Sequence, residues 1–198
     1  MKYHRYETEC FILGVYPKGE NDAFYKLYTR EFGMVFAYSN GARKEKSKLR
    51  PALIWGAHSQ VSLVRGKEYW KIVGSESKDL PWKNFIKRKR AYLLAIRIID
   101  LLERLISGES RDDRIFKFLD FIHKNLTLHD RYTDREIDLI EVVLTAELLS
   151  ILGYIPNESV PKIPYDSFDD SRYLFEALDK RVLIEELIRE GMYSANVY

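Results

Sequence analysis

The chain has almost no cysteine. Cys10 stands alone among 198 residues, so no intramolecular disulfide can form and no cysteine-based zinc site can be assembled. That usage suits a reducing compartment. Four histidines, His4, His58, His123 and His129, fall at no ligand-like spacing, which leaves metal chemistry without a donor set. No apolar run approaches the roughly 20 residues that span a bilayer, so no membrane association is expected. The opening residues carry Glu7 and Glu9 and no signal-like apolar core, so nothing there marks the chain for export. Glycines are scattered: Gly14, Gly19 and Gly33 do not form a phosphate-cradling loop. There is no serine-centred elbow. Cys10 sits inside an apolar run and reads as core, not as a nucleophile. The neighbouring acids Asp112-Asp113 and Asp169-Asp170 read as helix caps rather than metal-binding pairs. Catalysis has little to stand on. The expectation is a cytoplasmic protein that is not an enzyme and needs no cofactor.

Charge of both signs is present, but it is segregated. The formal net charge of +2 conceals residues 1–90 at +10 (19 Lys+Arg against 9 Asp+Glu) and residues 91–198 at −8 (13 against 21). Such asymmetry predicts a basic binding module joined to an acidic one. The basic half is concentrated in Gly41–Leu53, GARKEKSKLRPAL. Arg43, Lys44, Lys46, Lys48 and Arg50 fall within eight positions, interrupted by the acid Glu45. Strand-like sequence on both sides holds this run on a scaffold, where it can meet phosphates in one geometry. A solvated lysine-rich loop with no partner is the bland alternative.

Before and after that run the sequence alternates. Residues 6–16 become continuously apolar and predict a strand buried on both faces. Pro17–Asp22 is a turn by composition. In Ala23–Arg30, Phe24 and Tyr28 share one side while Tyr25 and Leu27 share the other. Met34–Asn40 gives a third strand. His58–Val64, with Val61 and Leu63 on one face, reverses at Arg65-Gly66 into a fifth strand, Lys67–Val73, where Trp70 and Ile72 face one way. Five short strands, taken as antiparallel and rich in aromatic and β-branched residues, fit a small barrel of the OB type. An SH3-like barrel or a sandwich is close behind on the sequence alone.

From Ser77 the pattern becomes helical. Asp79-Leu80-Pro81 reads as a helix start. Phe85–Ile106 repeats apolar residues at three- and four-residue steps, and Gly108 ends it. Asp112 or Asp113 caps a second helix through Leu126. Thr133-x-x-Glu136 is a capping box opening a third, which Gly153 and Pro156 stop. Residues 171–189 return to helix, with Leu178 and Val182 among its inward residues, and the chain from Gly191 onward is loosely held. The fold class is therefore α+β: an OB-fold barrel over 1–76 and an all-helical bundle over 77–198.

What the residues favour is binding. The basic run, Arg65, Lys67 and Lys26 could flank one barrel face, interleaved with Tyr16, Tyr25, Tyr38 and Trp55. Cations that track phosphates and rings that stack on bases hold single strands in this way. An RNA-binding module or an adaptor for an acidic protein partner would use similar residues.

The order and spacing of several short segments resemble a known family. Gly19-Glu20-x-Asp22, Leu27-x-Thr29-x-Glu31-x-Gly33, Gly41-Ala42-Arg43, Ser47-x-Leu49 and Ala52-Leu53 resemble the N-terminal domain of the bacterial recombination mediators of the RecO family. Leu152-Gly153-Tyr154-x-Pro156 is similar to the end of a helix in that family's second domain. The resemblance implies an OB-fold followed by helices. It also implies a cytoplasmic, nucleoid-associated, non-enzymatic protein that binds single- and double-stranded DNA and anneals complementary strands. RecR, RecA recombinase and the acidic C-terminal tail of single-strand-binding protein would be its partners. By that resemblance the five basic-run residues contact DNA. A tail-docking site on the helical half would need a positive rim, for which Lys87, Arg88, Lys89, Arg90 and Arg97 are the candidates. Many relatives carry a four-cysteine zinc element in the helical domain, and this chain has no cysteine after Cys10.

Overall fold

The computed structural model describes residues 4–79, 89–106, 108–124, 132–165 and 172–197. The chain divides into two compact units, Met1–Lys83 with Ile106–Phe116, and Asn84–Leu105 with Lys117–Tyr198.

The first unit is a closed barrel of five strands: β1 (Arg5–Lys18), β2 (Asp22–Thr29), β3 (Gly33–Ser39), β4 (His58–Arg65) and β5 (Trp70–Asp79). Their order round the barrel is β1-β2-β3-β5-β4, which is an OB-fold. Four neighbouring pairs are antiparallel, but β3 and β5 run parallel through Ala37↔Trp70 and Tyr38↔Lys71. The expectation of a wholly antiparallel set is corrected by counting. A closed ring with an odd number of strands cannot alternate direction all the way round, so one pair must be parallel. The fifth strand is also longer than its alternating pattern, running past Val73 to Asp79. Its second half, from Gly74, is polar, and β4 passes close to that first residue. A Cβ on Gly74 would stand 2.8 Å from Ser62 Oγ.

The period of two then decides the core. Tyr25, Leu27, Val61, Leu63, Trp70 and Ile72 point inward and are buried together, as their alternation requires. Cys10 is fully buried among them, and burial pushes its thiol well above the ordinary range. It is core.

Tyr28 points outward yet is buried, because residues 108–116 of the same unit cover it. Its hydroxyl donates to Asp112 O at 2.9 Å. Glu109 accepts from Trp70 Nε1 at 2.8 Å, and Phe116 packs 5.2 Å from Phe11. This segment passes so close to the β2–β3 turn that a Cβ on Gly33 would lie 2.1 Å from Ser110 O. Gly33 also has φ 68, in the left-handed region.

The second unit holds α1 (Lys89–Leu105), most of α2 (Asp113–Ile122), α3 (Asp134–Ile151), α4 (Arg172–Asp179) and α5 (Arg181–Ser194). Helix starts and stops follow the sequence signals. Asp112 accepts from Arg114 N at 2.8 Å at the head of α2. Thr133 and Glu136 form the reciprocal capping box of α3. At the other end of α3, Tyr154 N donates to Leu149 O and Gly153 N to Ser150 O, a Schellman closure. Three expectations fail at the end of the chain, the first being a single helix over 171–189, which is divided at Lys180 into α4 and α5. Leu178 and Val182 are exposed, because only one side of α4 and α5 packs inward, through Tyr173, Leu174 and Ile184. Gly191 is not in a loose tail but buried within α5, where a Cβ would stand 2.7 Å from Ile155 Cγ2. The expected start at Asp79-Leu80-Pro81 lies mostly outside the described residues, as does Leu126.

Substituting Gly33→Ala tests the covering segment. It adds left-handed strain of about 1–2 kcal/mol and a contact that Ser110 cannot relieve without moving the backbone. Thermal unfolding should show a midpoint lower by at least about 4 °C for a chain of this size. An unchanged midpoint would mean that residues 108–112 do not hold the barrel.

Candidate nucleic-acid interface

The basic run is built, not draped. From Gly41 to Leu53 the backbone makes a succession of three-residue turns: Lys44 N donates to Gly41 O, Ser47 N to Lys44 O, Arg50 N to Ser47 O and Leu53 N to Arg50 O. Ala42 and Leu53 are buried in the barrel core, with Leu49 packed against it. Ser59 Oγ donates to Ala52 O at 2.6 Å and Ser75 Oγ to Leu49 O at 3.2 Å, which tie the run to β4 and β5. Arg43, Lys44, Lys46, Lys48 and Arg50 are all exposed on this frame.

Its first turn is anchored to the β1–β2 turn. Arg43 N donates to Asn21 O at 2.8 Å, and Arg43 Nη1 to Gly19 O at 2.8 Å. Asp22 accepts from Tyr38 Oη and from Gly41 N at 2.8 Å. The Tyr38 hydroxyl is the larger cause, the Gly41 amide the second, and together they hold the Asp22 carboxyl below the usual aspartate range. The same bond pushes the Tyr38 phenol up.

Next to that anchor the outer faces of β1, β2 and β3 carry a row of rings. Register places Tyr16 opposite Phe24, Phe24 opposite Tyr38, and Tyr38 beside Lys71. Phe36 stands opposite Lys26 and stacks on Phe24 with centroids 4.9 Å apart and planes within 6°. Tyr69 meets both Phe24 and Tyr38 edgewise or tilted, at 5.2 and 6.0 Å. Lys18 lies over Phe24 and Tyr38, at 4.9 and 5.4 Å from the ring centres. Tyr16 and Phe36 are 40% and 46% exposed. Gly14 makes room for Tyr16, whose ring occupies the space that a Cβ there would need, with its hydroxyl 2.6 Å from that position.

The barrel mouth beneath the basic run is open. A pocket of about 370 Å³ is walled by Val15, Tyr25, Leu53, Ile54 and Trp55, with Arg43 and Arg50 at its edge. A second concavity of about 520 Å³ follows the β4–β5 hairpin, between Arg65, Lys67, Tyr69 and Lys71.

Some cations elsewhere in the chain are paired, whereas Lys89, Lys117, Arg135 and Arg189 have no ion-pair partner among the described residues. In the barrel Arg5 pairs with Glu7, Arg30 with Glu9 and Lys78 with Glu9. In the helical unit Arg90 pairs with Asp134 and Asp138, Arg97 with Glu141 and Arg181 with Glu185. Lys46, Lys48, Arg50, Lys67 and Lys71 have no ion-pair partner among the described residues. Exposed ion pairs add little to stability, but each one neutralises the charge it uses.

The structure therefore sorts the sequence candidates. The five cations of the basic run stand together, and Lys67 joins the hairpin. Lys26 lies on the outer face beside Phe36. Tyr16 and Tyr38 stand in the ring row. Tyr25 does not: it is 2% exposed, because its strand position points inward. Trp55 is half-buried and walls the mouth instead. Arg65 is compensated, donating to Glu109 at 3.1 Å while lying over Trp70. Arg90 and Arg97 are held as α1–α3 ion pairs and form no uncompensated positive rim; Lys89 is exposed, and Lys87 and Arg88 lie outside the described residues. Sequence reasoning missed Phe24, Phe36, Tyr69, Lys18 and Lys71. The period of two placed Phe24 outward, and pairing it with its neighbours across β1 and β3 would have found the row.

The first unit is thus a five-stranded OB barrel with a ring-bearing outer face and a fixed basic loop. Residues 1–79 match the family model described as "Recombination protein O N terminal". The DNA repair protein RecO of Dehalococcoides mccartyi is 27% identical over 155 residues, which cover 78% of this chain and 59% of that protein. The protein of the same name from Alkaliphilus metalliredigens is 26% identical over 148 residues, covering 75% and 57%. That from Thermodesulfovibrio yellowstonii is 27% identical over 154 residues, covering 77% and 59%. Over most of its length the chain is similar to these RecO proteins, and it spans a little under 60% of their length.

The Asp22 anchor has a pH signature. Because the folded carboxyl is held below its unfolded value, its contribution is present above about pH 4 and is lost as pH falls through the folded value. In an NMR titration the Gly41 amide should therefore shift only at pH values below the ordinary aspartate range. At neutral pH, Asp22→Ala should remove the hydrogen-exchange protection of Gly41. Retained protection in that variant would show that the basic run is held by other contacts.

Proposed function

We propose that this chain is a non-enzymatic DNA-binding protein of recombinational repair that holds a single strand across the outer face of β1–β3 and the basic run. One observation carries the reading: uncompensated cations on an anchored loop stand beside a row of exposed rings. Phosphates supply the charge that Lys46, Lys48 and Arg50 lack, and bases supply flat faces for Tyr16 and Phe36. The names of the relatives, DNA repair proteins, agree with this choice of polyanion.

Annealing of complementary strands follows without a catalytic group. Two strands repel through their phosphates, and a basic surface that engages both lowers that repulsion and raises their local concentration. The same reading includes RecR and RecA as partners at gaps coated by single-strand-binding protein. Docking of that protein's acidic tail would rest on groups other than Arg90 and Arg97, whose charges are already matched. A cytoplasmic, nucleoid-associated location goes with this work.

The test is fluorescence anisotropy of a labelled single-stranded DNA oligomer against salt concentration. The full chain is compared with a variant in which Arg43, Lys44, Lys46, Lys48 and Arg50 are all alanine. The slope of log K against log salt should flatten by about 0.7 for each phosphate contact removed. Tight binding that the variant leaves unchanged would move the site off the barrel. No binding to DNA at physiological salt, with binding to matched RNA or to an acidic protein, would replace the reading.

A further inference from the structure

The geometry points to the barrel mouth as a receptor for one unstacked base of the bound strand, with the phosphates on either side of that base held by Arg43 and Arg50. This rests on the single-strand reading above and adds a site to it.

The pocket is the right kind of space. Its walls are apolar and partly aromatic, through Val15, Tyr25, Leu53, Ile54 and Trp55, and its volume is about 370 Å³. That is ample for a nucleobase with part of its sugar, and within the usual size range of small-ligand sites, which favour the mouths of barrels. No acid is among the residues that line it.

Charge complementarity selects an anionic occupant. Two arginines edge one apolar hole. Arg43 is fixed by its bonds to Asn21 O and Gly19 O, and Arg50 starts a single 3₁₀ turn with no ion-pair partner among the described residues. An acidic peptide also brings carboxylates to such a pair of cations, so the ring row beside the mouth decides for a base. A base within a strand brings two phosphates, one on each side. An arginine fork matches each of them geometrically.

Continuity with the ring row supplies the route. Val15 walls the mouth and Tyr16, the next residue of β1, stands on the outer face, because side chains alternate along a strand. A strand lying across Tyr16 and Phe24 therefore reaches the barrel rim one residue from the pocket wall. Turning one base over that rim exchanges stacking on its neighbour for burial against Trp55 and Ile54. The walls are mostly hydrocarbon, so the pocket should accept any base and discriminate chiefly against a missing one.

A DNA oligomer carrying 2-aminopurine at successive positions, bound to the full chain, reads this directly. In an oligomer no longer than the bound stretch, which leaves one register, one position should brighten on binding while its neighbours do not, and an abasic residue at that position should weaken binding about tenfold. Ile54→Glu places an acid at the exposed pocket edge. It should abolish the brightening and weaken binding to a similar extent, leaving the circular dichroism spectrum and melting unchanged. Tyr16→Ala should weaken binding while keeping the brightened position. Tight, salt-sensitive binding with no brightened position, or brightening that survives Ile54→Glu, would overturn the pocket and leave the single-strand reading intact. Absence of oligonucleotide binding by the unmodified chain would overturn both.

Discussion

One carboxylate organises the binding face. Asp22 ends the β1–β2 turn and accepts hydrogen bonds from the hydroxyl of Tyr38 and from the amide of Gly41. Those partners belong to separate parts of the surface: Tyr38 is in the ring row, and Gly41 opens the basic run. With that bridge, and with the bonds of Arg43 to Asn21 and Gly19 beside it, a ring row built by strand register and a charged loop built by consecutive turns share one origin.

The distribution of paired and unpaired cations follows from where burial is needed. Arg30 and Lys78 converge on Glu9 because β1, β5 and the start of the β2–β3 turn meet there. Arg90 and Arg97 meet Asp138 and Glu141 because α1 and α3 pack side by side. The basic run has no such crowding. Its only internal acid is Glu45, and its backbone needs are met by its own turns and by Ser59 and Ser75. A charge that the fold does not use remains available, and the +10 half of the chain keeps its field at that loop.

Much of this was legible in the sequence, and the limits are physical. Alternation placed Tyr25, Leu27, Val61, Leu63, Trp70 and Ile72 together, because a strand offers side chains two directions only. The capping box at Thr133 and the stop at Gly153 were legible because their bonds are local. Three things were not. The parallel β3–β5 pair is a property of ring closure, invisible in any one strand. The cover over Tyr28 comes from residues 108–116, more than 75 positions away, so an outward tyrosine becomes buried. Which cations are compensated depends on contacts such as Arg65 with Glu109, which spacing does not encode. Tyr25 and Trp55 were assigned to stacking on type and neighbourhood, whereas direction decides: the same strand turns Phe24 out and Tyr25 in.

Direction also explains how one small barrel can offer two kinds of grip. On the proposed reading an outer ring row would hold bases flat and tolerate sliding, since each base presents a similar face. The proposed pocket at the rim would hold one base between Arg43 and Arg50 and resist sliding. A surface made only of the first would bind strands without arresting them. A surface made only of the second would bind a nucleotide without gathering a strand. Annealing needs both properties in sequence: loose capture to bring complementary strands together, then a pause long enough for pairing to begin. Adjacent residues on β1, Tyr16 outside and Val15 inside, place the two grips one step apart, and the alternation that builds the barrel core produces that step without any further device.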